Sequence, residues 1–117
     1  CYMEPTIVGN VKRDMDIFKD EVFGPVLTVS VFEDDEQALI LANDSPYGLA
    51  ASIWTEGLSN THRMADSINA GTVWVNSHLM FDAALPIGGW KQSGWGQESG
   101  HQAVSNYLKD KTVTSII

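Results

Sequence analysis

The chain has 117 residues, 44% of them hydrophobic, which is enough apolar material for one packed domain and argues against disorder. Its net charge of −8 argues against nucleic acid and anionic membranes as partners, because the seven basic residues form no patch. One cysteine and no apolar run of membrane-spanning length favour a reducing, cytoplasmic location.

Apolar periodicity and turn residues divide the chain into alternating strands and helices. The predicted elements are a strand at 6–11, a loop or ragged helical turn at 12–20, a strand at 26–32, a helix capped by Asp34 or Asp35 and stopped at 43–46, a strand at 49–55, a helix capped by Ser59 and ended by Gly71, a strand at 72–76, a helix at 99–108 and a strand at 111–117. This order predicts an α/β fold with a βαβαβ run, mostly parallel strands, and ligands at the carboxyl ends of strands. Asn76 falls at that edge.

Glu21 and Phe23 stand beside a turn formed by Gly24 and Pro25, immediately before the strand at 26–32. An acid at the mouth of a strand suggests a binding edge, since the turn fixes the direction of the preceding side chains. On local chemistry alone, a solvated acid next to a turn is the commoner interpretation.

Residues 77–98 break the alternating pattern and predict a long loop rich in Gly and Trp. A loop of this length in a compact domain is usually functional, and its large apolar side chains argue against disorder. His78 in this loop either lines a pocket or is a hydrogen-bonded loop histidine. The closing strand at 111–117 has no local partner, so it needs a sheet elsewhere or in another subunit.

Three further patterns predict no site. Gly94, Gly96 and Gly100 are a weak phosphate cradle, because the last interval is one residue too long for a dinucleotide fingerprint and no strand precedes them. His62 and Asp66, four residues apart on a helix, favour a solvated pair over a metal site. Cys1 lacks a cationic environment, so it is not predicted to be a nucleophile.

Four separated segments, at 21–25, 42–50, 70–76 and 86–94, together resemble the C-terminal portion of NAD(P)-dependent aldehyde dehydrogenases. Their order and spacing agree, and the resemblance covers essentially the whole chain. It implies that residues 1–108 belong to the catalytic domain and that residues 109–117 form an oligomerisation strand. Because the chain opens inside a predicted strand without Met, we expect it to be the end of something longer.

The resemblance also implies roles for individual residues. Glu21 would accept hydrogen bonds from the hydroxyls of the nicotinamide-side ribose of NAD or NADP, with Phe23 beside the nicotinamide. Phe81 and Ile87, with His78 in the same loop, would line the aldehyde pocket. A Phe is usual at the position of Ile87, so an aliphatic side chain there changes the shape of the pocket.

The family's reaction implies groups that this sequence does not contain. A cysteine thiolate attacks the aldehyde, hydride passes to NAD(P)⁺, and water activated by a glutamate hydrolyses the thioester. These groups lie upstream of the matching region, so no catalytic residue is expected here and the 117 residues alone should be inactive. The parent enzyme would be a homodimer or homotetramer acting on a small aldehyde.

Two alternatives stay open. One is a non-catalytic interaction or oligomerisation module derived from the family, and the other is a related acyl-phosphate reductase. Within the family, residues 76–78 and 82–86 look most similar to phenylacetaldehyde dehydrogenases.

Overall fold

A computed structural model describes residues 2–117, so Cys1 and the prediction made for it lie outside the described residues. The elements in chain order are β1 (Thr6–Val8), α1 (Asp16–Lys19), β2 (Val26–Thr28), α2 (Asp35–Asn43), β3 (Tyr47–Gly48), β4 (Ala50–Ile53), α3 (Leu58–Ser67), β5 (Thr72–Val75), β6 (Trp90–Lys91) and a 3-10 helix (His101–Tyr107). Among these elements, no helix has the length and apolar content that a membrane crossing requires.

Parallel strand pairs confirm the predicted α/β class. β1 pairs with β2, and β4 pairs with β5 from Ala50 opposite Thr72 to Ile53 opposite Val75. The two pairs are not joined in one sheet, and a cavity of about 590 Å³ lined by residues of β2, β3 and β4 lies between them. The predicted βαβαβ run is therefore interrupted after its first strand, since β2 pairs with β1 and not with β4.

The two longer helices begin in different ways. Asp34 caps α2 as predicted, since its carboxylate accepts a hydrogen bond of 2.8 Å from the Gln37 amide. The prediction that Ser59 caps α3 is wrong: Gly57 holds the cap position and Ser59 lies inside the helix. Asp35 braces the two helices, because its Oδ2 accepts hydrogen bonds from Asn60 at 2.6 Å and Arg63 at 2.8 Å.

A small apolar core lies between α2, α3 and the β4–β5 pair. Its buried residues are Leu39, Ile53, Ile68 and Ala70, and Ala51, Met64, Ala65 and Val73 pack against them. The accessible surface of 9686 Å² exceeds the roughly 6300 Å² expected of a compact monomer of this mass. Much of the excess comes from large apolar side chains, and exposed apolar surface on this scale is typical of faces that contact other protein.

The segment predicted as one long loop has structure of its own. β6 forms an antiparallel pair with β3, and a pair of backbone hydrogen bonds of 2.8 and 2.7 Å joins Ile87 to Glu98. These contacts fold residues 77–98 back onto the rest of the chain.

The C-terminal segments differ from their predicted form. The helix predicted at 99–108 is a 3-10 helix that begins later, because Ser99 and Gly100 both have positive φ and cannot continue a helix backwards. Residues 109–117 form no strand and are exposed in the single chain, as expected of a strand without a paired edge. Their pairing with a partner subunit stays a prediction.

Candidate functional site

Glu21 lines the cavity of about 590 Å³ that separates β2 from β3 and β4. It precedes two tight turns, in which the Gly24 amide donates to Val22 O and the Val26 amide donates to Gly24 O, each at 2.8 Å. The Thr6 amide then donates to Pro25 O at 2.9 Å, which ties this segment to β1. The predicted cofactor residue is therefore exposed to solvent on a segment that backbone hydrogen bonds hold.

Phe23 is not among the residues that line that cavity and keeps 96% of its surface exposed. An aromatic ring with so little protein contact is free to stack on a planar group. Its predicted place beside a nicotinamide stays a prediction.

Phe81 and Ile87 line a second cavity of about 430 Å³. Its other walls are mostly apolar and come from β5 and the following loop: Thr72, Val73, Trp74, Met80, Asp82, Leu85 and Pro86. The structure thus brings the two predicted pocket residues together. A lining of this kind suits an apolar part of a ligand.

Trp74 anchors the start of the loop to β5. It is only 9% exposed, and its Nε1 donates a hydrogen bond of 2.7 Å to Met80 O. Phe81 meets the indole edge to face, with ring centroids 5.6 Å apart. The residue that shapes this cavity wall is therefore one for which the sequence alone suggested only a buried strand position.

Replacing Trp74 with Phe is expected to destabilise the protein by about 1–3 kcal/mol, because a smaller aromatic ring replaces the buried indole and the hydrogen bond to Met80 O is lost. Chemical denaturation would measure the change. Exposed Trp54, whose indole N–H makes no hydrogen bond within residues 2–117, supplies the matched control Trp54→Phe, for which a change within about 0.5 kcal/mol is expected. Equal effects of the two substitutions would contradict the anchoring role.

His78 also contacts the Trp74 ring, but it lies outside the lining of the Phe81 cavity. Its Nδ1 is 2.8 Å from Ser52 Oγ, and its ring meets the indole at a centroid distance of 5.3 Å. Of the two alternatives for His78, a residue that lines a pocket or a hydrogen-bonded loop histidine, this geometry favours the second. A role in the pocket stays a prediction.

Asn76 ends β5 through its side chain. Its Oδ1 accepts a hydrogen bond of 2.9 Å from the Thr55 amide, and its Nδ2 donates one of 2.8 Å to Thr55 O. These two bonds extend the β4–β5 pairing by one position. Its φ of 50° then turns the chain into the loop. The predicted edge residue therefore sets the direction in which the loop leaves the strand.

Lys91 connects the loop to the turn between α2 and β3, a contact that the sequence did not predict. Its Nζ donates to Asn43 O and Ser45 O, both at 3.0 Å. In the sequence, the only indication that Lys91 matters is its place in the 86–94 segment.

On the same turn, Arg13 Nε donates to Asp44 Oδ2 at 2.5 Å. This hydrogen bond lowers the pKa of Asp44, and the positive charges of Arg13, Lys19 and Lys91 add to the effect. Because the carboxyl pKa is lowered in the folded state, the contribution of the Arg13–Asp44 pair to folding stability is present above the ordinary Asp pKa. It is lost as the pH falls through the lowered value.

The patterns set aside in the sequence show no ligand geometry. His62 and Asp66 are both exposed on α3, and no group of three potential metal ligands occurs within residues 2–117. Gly94, Gly96 and Gly100 all have positive φ and lie in irregular backbone before a 3-10 helix.

Comparisons with known proteins agree on one family. Residues 1–113 match the profile of the aldehyde dehydrogenase family. The putative aldehyde dehydrogenase DhaS of Bacillus subtilis is 49% identical over 96% of this chain and 23% of its own length, and the mitochondrial benzaldehyde dehydrogenase of Antirrhinum majus is 45% identical over 99% and 22%. The chain thus spans less than a quarter of the length of these relatives.

Solved structures give the same result. Betaine aldehyde dehydrogenase of Staphylococcus aureus in complex with NAD⁺ superposes with a TM-score of 0.90 at 44% identity, covering 94% of this chain and 22% of that one. Indole-3-acetaldehyde dehydrogenase AldA of P. syringae, in complex with NAD⁺ and IAA, superposes with a TM-score of 0.88 at 47% identity, covering 91% and 21%. The chain belongs to the aldehyde dehydrogenase family.

Proposed function

We propose that this chain is the C-terminal part of an enzyme that oxidises an aldehyde to a carboxylic acid with NAD⁺ or NADP⁺. The observation that carries the proposal is the pairing of two kinds of cavity in one chain. One is lined by the Glu21 carboxylate, and the other is walled by Phe81 and Ile87. An oxidoreductase of this class needs a polar site for a dinucleotide and an apolar site for the aldehyde chain.

Glu21 fits the cofactor because a carboxylate offers two acceptor oxygens to the two neighbouring hydroxyls of a ribose. Its cavity is open and about 590 Å³ in volume, which leaves room for a ribose and its attached ring. The bound nicotinamide would supply the acceptor for a hydride. Glu21 would hold the ribose, and the exposed ring of Phe23 would limit where the nicotinamide lies.

Phe81 and Ile87 would hold the apolar part of the aldehyde and exclude water from it. Trp74 would keep the Phe81 ring in place through its edge-to-face contact. Orientation of this kind matters because a reaction between two bound groups depends on their alignment.

The catalytic groups would come from a part of the enzyme outside these 117 residues. The nucleophilic cysteine and the glutamate that activates water have no counterpart in the motifs matched here, so we expect the 117 residues alone to be inactive. The excess accessible surface supports contact with more protein. Residues 109–117 would add a strand to a sheet of a second subunit, giving a dimer or tetramer.

The direct test is NADH formation with a series of aldehydes by a full-length protein that contains this chain. Activity is expected in that protein and absent from residues 1–117 alone. Aldehyde oxidation by the 117 residues alone would contradict the assignment of the catalytic groups to another part of the enzyme. Inactivity of the full-length protein towards every aldehyde would contradict the proposed function.

A non-catalytic interaction module is the second candidate, and the exposed apolar faces favour it if the chain acts alone. Intact mass separates the two candidates. A natural product of about this length supports the module, whereas a longer product carrying a nucleophilic cysteine supports the enzyme.

Replacing Ile87 with Phe is expected to lower kcat/KM for bulky aromatic aldehydes by roughly tenfold, because the larger ring fills part of the cavity it shares with Phe81. Short aliphatic aldehydes should be affected much less. Steady-state kinetics with both aldehyde classes measures the ratio. Leu58→Phe, at an exposed position on α3, is the control, and an unchanged ratio in Ile87→Phe would remove Ile87 from the pocket.

A further inference from the structure

The connection from α2 to β3, with the last residue of α2 and the first of β3, comprises residues 43–47, which we call the junction turn. Two other segments of the chain are attached to it. From the loop side, Lys91 Nζ donates to Asn43 O and Ser45 O, both at 3.0 Å, and the Gln92 amide donates to Pro46 O at 2.9 Å. A cation here also meets the negative end of the α2 dipole, so the site suits Lys91 electrostatically.

The segment that leads to Glu21 is attached to the same turn. Arg13 Nε donates to Asp44 Oδ2 at 2.5 Å, and the Asp44 amide closes the last turn of α2 by donating to Ile40 O at 3.0 Å. Residues 17–22 then line the Glu21 cavity together with Ser45 and Tyr47 of the junction turn. The turn therefore forms one wall of the cavity in which Glu21 lies.

The attachment through Lys91 also fixes the end of the loop that carries Ile87. Lys91 has a φ of 53°, a conformation that a non-glycine residue keeps only where its surroundings hold it. Two residues later, Ser93 Oγ accepts a hydrogen bond of 2.9 Å from the Gly48 amide. Ile87 lies four residues before Lys91 and, together with Ser93, lines a further cavity. Ser93 also lines the Glu21 cavity, so it belongs to the walls of both.

We propose that Lys91 is a positioning residue that holds the segment of Glu21 and the loop of Ile87 at a fixed separation through the junction turn. The inference rests on the proposed function, in which these two segments bind the cofactor and the aldehyde. Lys91 touches neither ligand. Its effect is to keep the two sites in register, which matters because a misplacement of about 1 Å between reacting groups can cost on the order of 100-fold in rate.

The test is Lys91→Met in the full-length protein, which removes the donors and keeps most of the side-chain volume. We expect KM for NAD⁺ and KM for the aldehyde both to rise and kcat/KM to fall by roughly tenfold. Arg13→Met should raise KM for NAD⁺ alone, because it frees only the Glu21 side of the turn. Lys12→Met is the matched control, since the Lys12 ammonium makes no hydrogen bond within the described chain, and its kinetics should equal those of the wild type.

Lys91→Arg keeps a charged donor and should restore the kinetics towards wild type, which a loss of side-chain volume alone would not predict. Lys91→Gln, a milder change, replaces Lys91→Met if that variant does not accumulate as folded protein. A folded Lys91→Met or Lys91→Gln variant that changes neither KM, or only one of them, overturns the proposal.

Amide hydrogen exchange separates failure of this inference from failure of the proposed function. In Lys91→Met, the amides of Gly48 and Gln92 should exchange faster than in the wild type and in Lys12→Met, whatever the activity of the protein. Unchanged exchange at both amides shows that Lys91 does not hold the junction turn. Faster exchange in a protein that oxidises no aldehyde keeps the attachment and discards only the function.

Discussion

Gly71→Ala is expected to displace the loop that carries Ile87 and to destabilise the protein by about 3 kcal/mol or more. A Cβ at position 71 would overlap Gly88 O and lie 2.9 Å from Gly88 C, both backbone atoms. No rotamer change relieves such a clash, so the backbone of one segment must move. Gly71 cannot move freely, because its amide donates to Gly48 O at 3.0 Å and it precedes the first residue of β5.

Chemical denaturation and aldehyde kinetics of the full-length protein measure the two consequences. The midpoint of unfolding should fall, and KM for the aldehyde should rise, because Ile87 precedes the displaced Gly88 directly. Gly9→Ala is the matched control, since a Cβ at Gly9 meets no atom within 4 Å. If Gly71→Ala proves as mild as Gly9→Ala, the close packing of the two segments does not exist in solution.

The parts of the fold that follow local rules were predictable from the sequence. The α2 helix and its Asp34 cap depend on residues within one turn of each other, and the parallel pairing of β4 with β5 follows from a short strand, helix, strand repeat. The antiparallel pairing of β3 with β6 depends on residues more than 40 positions apart in the sequence, and each strand has only two residues. No periodicity is visible over two residues, so this pairing had no sequence signal.

The candidate site divides in the same way. The resemblance implies roles for Glu21, Phe81 and Ile87, and the structure adds that Phe81 and Ile87 line one cavity because the bridge from Ile87 to Glu98 folds the loop back. Lys91 and Trp74 were not named. Their roles depend on backbone carbonyls of other segments, and carbonyls are present at every residue, so a sequence cannot show which of them a side chain will reach.

Glu21→Gln is expected to lower kcat/KM for NAD⁺ by roughly 10-fold to 100-fold, because a neutral amide offers one weaker acceptor in place of a carboxylate with two oxygens. The loss should appear mainly in steps that depend on cofactor placement, so KM for the aldehyde should change little. Glu21 lies at the rim of an open cavity and makes no hydrogen bond to a protein side chain within residues 2–117, so the folded structure has no need of its charge. Unfolding midpoints of Glu21→Gln and wild type should therefore agree.

Glu56→Gln removes the same charge at an exposed position before α3, outside the lining of the cavity, and controls for the change in net charge. Glu21→Asp is the more informative variant, because it keeps the charge but shortens the side chain by one methylene. If Glu21 acts through hydrogen bonds to a ribose diol, Glu21→Asp should also lose activity, since the acceptor oxygens no longer reach the hydroxyls. If Glu21 acted only through its charge, Glu21→Asp would behave like the wild type. Wild-type kinetics in both variants would remove Glu21 from the cofactor site.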